Sequence, residues 1–203
     1  MIRYHRIARQ KMLDKNDYFY IFIKTMGKSM KILLTFSSGY GTTREVSEEI
    51  SKTLKGDKTE VDVQSIDDVQ SIEPYDCVIV GSSVRADKPL ANVRDFFSVN
   101  NIALGKKKVA VFAVCLLANN EEGREKVKQE YLAPFLEKYP GIHPIEVEAF
   151  GGKIDFDKLN PVMQSLMKRV LEKTGLPTEG SIDTRDWDFI KNWAKKVKEQ
   201  LDA

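Results

Sequence analysis

The sequence is poor in the residues that mark several large classes of protein. It holds two cysteines, Cys77 and Cys115, both inside apolar runs. A disulfide framework is therefore not expected, and a reducing, cytoplasmic setting is. The two histidines, His5 and His143, lie far apart, and no His/Cys/Asp cluster has the spacing of a metal site. No stretch reaches the roughly 18 to 20 consecutive apolar residues that span a bilayer. Neither sign of charge dominates: 32 Lys and Arg oppose 30 Asp and Glu, so no concentrated basic face for nucleic acid is expected. A Gly-x-Ser-x-Gly nucleophile elbow is missing as well.

What is present is a chain of 203 residues, 42% hydrophobic, enough for one domain with a sizeable core. From Lys31 onward, short apolar runs alternate with helical patterns, the signature of βαβ units and a parallel sheet. The runs are Ile32 to Phe36, Val61 to Ile66, Cys77 to Ser82, Lys108 to Cys115 and Ile145 to Phe150. The first, third and fourth are almost wholly apolar, as strands covered on both faces must be, whereas Val61-Asp62-Val63-Gln64 alternates like an edge strand. This pattern predicts an α/β three-layer sandwich around a five-stranded parallel sheet of order 2-1-3-4-5. In such a sheet a ligand sits at the carboxyl ends of the strands, beside the switch point between strands one and three.

Residues 31 to 44, Lys-Ile-Leu-Leu-Thr-Phe-Ser-Ser-Gly-Tyr-Gly-Thr-Thr-Arg, fall at that point. An apolar strand runs into a hydroxyl- and glycine-rich turn that opens a helix. Backbone N–H groups at the helix start, its dipole and the hydroxyls of Ser38, Thr42 and Thr43 make an anion cradle, with Gly39 and Gly41 allowing close approach. The Gly-Lys-Ser/Thr ending of a nucleoside-triphosphate loop is absent, and Arg44 stands where a dinucleotide loop would have its third glycine. The motif therefore points to one terminal phosphate.

Ser38-Gly39-Tyr40-Gly41-Thr42-Thr43 resembles the phosphate loop of flavodoxins, and the resemblance implies flavin mononucleotide (FMN). Several further segments are similar to flavodoxin-type, quinone-dependent protoporphyrinogen IX dehydrogenases. They are Phe36-Ser37-Ser38 through Thr43-Arg44-Glu45, Gly81-Ser82-Ser83-Val84-Arg85, Phe150-Gly151-Gly152, and Gly180 to Arg185 followed by Trp187. That family implies an FMN-dependent oxidoreductase oxidising a tetrapyrrole precursor, with a quinone as acceptor and peripheral contact with the inner face of the membrane. The alternative is a flavodoxin-like electron carrier with a redox-protein partner. Glu121-Glu122 departs from the bacterial dehydrogenases, which tend to be more basic there.

The resemblance places the walls of the flavin ring in two loops. Ser83, Val84 and Arg85 follow the third strand, and Cys115, Leu116 and Leu117 follow the fourth. Arg85 is the candidate for holding negative charge on reduced flavin or on an acidic substrate; a solvated loop cation is the competing reading. Neither loop carries the aromatic residue that flavodoxins often stack on the ring, and Tyr40 is the nearest substitute. A helix expected over about Lys158 to Lys173 aligns Leu159, Val162, Met163, Leu166, Met167, Val170 and Leu171, a stripe for core packing or for a membrane or hydrophobic substrate. Asp183-Thr184-Arg185 is expected to start the last helix by capping and ion pairing.

Residues 1–29 carry seven Lys/Arg against two Asp, leaving 25 Lys/Arg and 28 Asp/Glu in the rest, a net of −3. They are expected to lie upstream of the functional domain, residues 30–203, with Met26 or Met30 as alternative starts. A surface-attached strand or a membrane-touching segment is the competing reading, on account of Tyr18 to Ile23. A chain beginning at Met30 is expected to fold and hold FMN. Insolubility, or loss of a flavin that the full chain binds, would place the extension inside the domain.

Overall fold

The computed structural model describes residues 29–172 and 175–202, so the extension lies outside the described residues up to position 28. The strands are β1 (Met30–Ser37), β2 (Thr59–Ser65), β3 (Cys77–Arg85), β4 (Lys88–Pro89), β5 (Lys108–Val114), β6 (Pro144–Phe150), β7 (Lys153–Asp155) and β8 (Ser181–Asp183). The helices are α1 (Thr42–Leu54), α2 (Ala91–Leu104), α3 (Glu121–Val127), α4 (Ala133–Leu136), α5 (Pro161–Glu172) and α6 (Trp187–Asp202). A π-helical segment, Lys128–Leu132, joins α3 to α4.

The parallel strands run in the order β2-β1-β3-β5-β6, which is the expected 2-1-3-4-5 once the short hairpin arm β4 is set aside. Alternation of side chains sorts the apolar runs into two cores. Leu33, Val78, Val80, Val109 and Val111 face α2 and the α3–α4 segment, meeting Val93, Phe97, Val127 and Leu132. Ile32, Leu34, Ile79, Phe112 and Val114 face α1 and α6, meeting Val46, Ile50, Trp193 and Val197. These are the two outer layers of the sandwich.

Three local expectations change. The third strand does not end at Ser82: it continues to Arg85 and turns back, pairing Val84 with Pro89 and Arg85 with Lys88. Ala86 and Asp87, at φ 49° and 60°, make the two-residue turn with left-handed backbone that matches the twist of a hairpin. The last helix is started by Asp186, whose carboxylate accepts from Phe189 N at 2.9 Å, while Asp183 ends β8. The extra helix begins at Pro161, because Asn160 caps it by accepting from Met163 N at 2.9 Å. Its stripe divides: Leu159, Met163, Met167 and Leu171 pack with Ile154, Phe156 and Ile182 into a third, small core, while Val162 is 78% exposed and Leu166 51% exposed. The stripe is wider than the seam it covers.

Candidate functional site

The carboxyl ends of β1, β3 and β5 bring three segments together. Ser83 Oγ donates to Ser37 O at 3.5 Å, and Ser37 Oγ donates to Asn92 Oδ1 at 2.7 Å at the start of α2. Asn92 in turn donates to Asp67 Oδ1 at 3.0 Å, so one amide ties the end of β1 to the turn after β2. Beyond Ser37 the chain turns through Ser38 to Gly41. Ser38 Oγ accepts from Thr43 N at 3.3 Å, and Gly41 stands at φ 87° as the residue before α1. That left-handed angle favours glycine and folds the turn back over the helix start.

Thr43 carries the most direct sign of a ligand. Its side chain is fully buried, and Oγ1 has no hydrogen-bond partner. Buried hydroxyls are almost always paired, and this one stands in the first turn of a helix whose amino end attracts anions. Thr42 Oγ1 donates to Lys153 O at 3.4 Å, linking the same turn to β7. Tyr40 is 64% exposed.

Arg85 closes the loop from the other side. A Cβ on Gly39 would stand 3.5 Å from its guanidinium nitrogen, so Arg85 leans over the phosphate turn. Val84 and Leu117 are half-buried against the core under α2, and Leu116 against the third core. Cys115 N donates to Phe150 O at 3.1 Å, and burial pushes the thiol up to about 11, so it is neutral at physiological pH. Burial likewise pushes Cys77 up to about 12. Neither thiol is a nucleophile there. Tyr131, in the π segment, has its hydroxyl held well above its usual range, first by burial and then by its hydrogen bond to Asp87.

A fourth segment, outside the three loops expected from the sequence, adjoins this end of the sheet. Thr184 docks on the turn after β6: its N–H donates to Gly152 O at 2.9 Å, and its Oγ1 accepts from Gly152 N at 3.1 Å. A Cβ on Gly151 would lie 2.0 Å from Thr184 O, so only glycine lets the two backbones meet. Next to it, the Arg185 side chain is 4% exposed and pairs with Glu45 in the first turn of α1. Its Nε donates to Asp183 Oδ1 at 2.8 Å, and its guanidinium stacks on the Trp187 ring 4.5 Å from the centroid. The hydrogen bond to Asp183 holds Arg185 above its usual range and Asp183 below the usual carboxylate range. A lowered carboxylate stabilises the fold above its unfolded pKa and loses that contribution as pH falls through its folded value, so the pair is intact at neutral pH. The Gly-Gly pair after the last parallel strand is the sequence signal for this close approach.

A concavity of about 600 Å³ lies at the opposite end of the sheet beside Lys31, Tyr75 and Lys107. It is remote from the switch point. No helix among the described residues is long and apolar enough to cross a membrane, and no group of three His, Cys, Asp or Glu among them could hold a metal.

A doubly wound parallel sheet with a hydroxyl- and glycine-rich turn at its switch point defines a flavodoxin-like protein. The chain belongs to the flavodoxin domain family, which it matches over residues 33–181, and its cofactor is FMN. The unpartnered Thr43 hydroxyl and the open turn at Gly41 fit the phosphate of that group. Protoporphyrinogen IX dehydrogenase [quinone] of Escherichia coli K12 is 24% identical over 181 residues, covering 85% of this chain and 97% of that protein. Among solved structures, flavodoxin 2 of Bacillus cereus is similar at a TM-score of 0.54 and 22% identity, covering 84% of this chain and 99% of its own. A flavodoxin from the domain Archaea is similar at a TM-score of 0.52 and 16% identity, covering 86% and 100%.

Proposed function

We propose that this protein is an FMN-dependent oxidoreductase that oxidises a tetrapyrrole of the protoporphyrinogen IX kind and passes the electrons to a quinone. The observation that carries the reading is the dehydrogenase relative, matched over 97% of its length. Ser38, Gly39, Tyr40, Gly41, Thr42 and Thr43 would hold the phosphate. Backbone and side chains of Ser83, Val84, Arg85, Cys115, Leu116 and Leu117 would wall the ring. FMN, when bound, supplies the redox chemistry, accepting electrons in pairs or singly.

The residues around it supply binding, position and access. Arg85, beside Gly39 at the end of β3, would supply positive charge to a reduced flavin or an acidic substrate. Because the cofactor would carry the redox chemistry, covalent attack on substrate is not asked of the protein. Neither ring loop stacks an aromatic side chain, which leaves the face accessible to a broad, flat substrate. The third core adjoins the site through Leu116 and Thr42, and its helix α5 exposes Val162 and Leu166, a surface suited to an apolar substrate or acceptor.

Anaerobic mixing of the FMN-loaded protein with protoporphyrinogen IX and a soluble menaquinone analogue tests the reading. Bleaching of the flavin by the substrate and its recovery with quinone are expected. Arg85→Ala is expected to keep FMN, because the phosphate turn is intact, and to slow turnover. Flavin that stays oxidised with the tetrapyrrole, yet is readily reduced by a flavodoxin reductase, would replace the dehydrogenase by the electron carrier.

A further inference from the structure

We propose that Arg185 is a positioning residue for FMN: by neutralising Glu45 it keeps the amino end of α1 receptive to a phosphate anion. The proposal rests on the assignment of FMN to the strand-one turn. Glu45 lies in the first turn of α1, two positions after Thr43, so its charge acts on the same helix end as the cradle. A phosphate monoester carries about −1.5 to −2 charges at neutral pH, and an unpaired carboxylate beside it would repel it. The other cation of that turn, Arg44, is engaged away from the cradle, donating to Glu48 at 2.9 Å. Arg85 leans on the turn from β3, and Arg185 is the cation that pairs with Glu45 itself.

Its geometry suits neutralisation better than simple surface pairing. The guanidinium is buried between Glu45, Asp183 and the Trp187 ring, whereas the Glu45 side chain is 51% exposed and that of Asp183 38% exposed. Asp183 also faces Lys153 directly across the β7–β8 ribbon, and that ammonium adds to the stabilisation of its charge. The guanidinium bridges the two carboxylates, with two bonds to Asp183 and the third to Glu45. The same ribbon touches the phosphate turn through Thr42 and Lys153 O, so Arg185 couples the carboxyl-terminal part of the chain to the cofactor end of α1. The fork of an arginine, with Nε and one terminal nitrogen on Asp183 and the other terminal nitrogen on Glu45, fits this task where a single ammonium would not.

The test compares FMN with riboflavin, which has the same ring and no phosphate, in titrations of the full-length apoprotein. Arg185→Met is expected to weaken FMN about tenfold, a change of about 1.4 kcal/mol. Riboflavin binding should change little, and the FMN deficit should shrink as salt is raised. Adding Glu45→Gln to Arg185→Met should recover most of the lost FMN affinity. Should Arg185→Met fail to fold, Arg185→Lys with and without Glu45→Gln gives the same comparison, with a smaller loss and the same recovery. Equal losses for FMN and riboflavin, or no recovery with Glu45→Gln, would reduce Arg185 to a structural brace and overturn the proposal. Wild-type protein that binds neither flavin would instead overturn the cofactor assignment beneath it.

Discussion

Thr43→Ala is expected to weaken FMN binding about ten- to a hundredfold, the loss of a hydrogen bond to a charged group worth roughly 1.5 to 3 kcal/mol. The hydroxyl is buried and has no partner within the protein, so the apoprotein pays its desolvation without compensation. Removing it should leave the melting temperature of the apoprotein unchanged or slightly raised. The increment in melting temperature produced by saturating FMN should fall, because ligand stabilisation follows affinity. Thr43→Ser, which keeps the hydroxyl, is the control. Unchanged FMN affinity in Thr43→Ala would remove this hydroxyl from the phosphate site.

Trp193→Ala is expected to destabilise the fold by about 3 to 5 kcal/mol, the range for deleting a large aromatic side chain from a packed core. Trp193 is 2% exposed on α6, and its ring meets those of Phe112 and Phe150 at centroid distances of 5.7 and 5.5 Å. The same core holds Val46 and Ile50 of α1, so loosening α6 loosens the helix that carries the phosphate turn. Weaker FMN binding should accompany the loss of stability. Trp193→Phe is expected to cost much less, since the indole N–H has no partner to lose. Urea unfolding of the three proteins measures the difference. A cost below about 1 kcal/mol for Trp193→Ala would mean that the site relaxes around the cavity and that α6 is held elsewhere.

Legibility divided by the kind of signal. Strands β1, β3 and β5 were readable because a strand covered on both faces must be apolar along its length, and β2 because its edge position leaves one side polar. The turn between β1 and α1 was readable because its hydroxyls and glycines are contiguous in the chain. The end of β3 was not: Val84 and Arg85 continue the strand because they pair with Pro89 and Lys88 through a turn at Ala86 and Asp87, neither a glycine. Nor was the division of the α5 stripe, since periodicity shows which side of a helix is apolar and not how much of it a neighbour covers.

The sequence by itself determined the layered α/β fold, its strand order and the turn at its switch point, because periodic burial and a local run of turn residues leave their imprint on neighbouring positions. The tertiary structure alone decided what surrounds that turn: Arg85 over Gly39, Thr184 on Gly152, and Arg185 bound to Glu45 across a separation of 140 residues. Such contacts join single polar groups on elements far apart in the chain. They repeat with no period and follow no local propensity, so they exist only once the two cores have packed and set the loops beside one another.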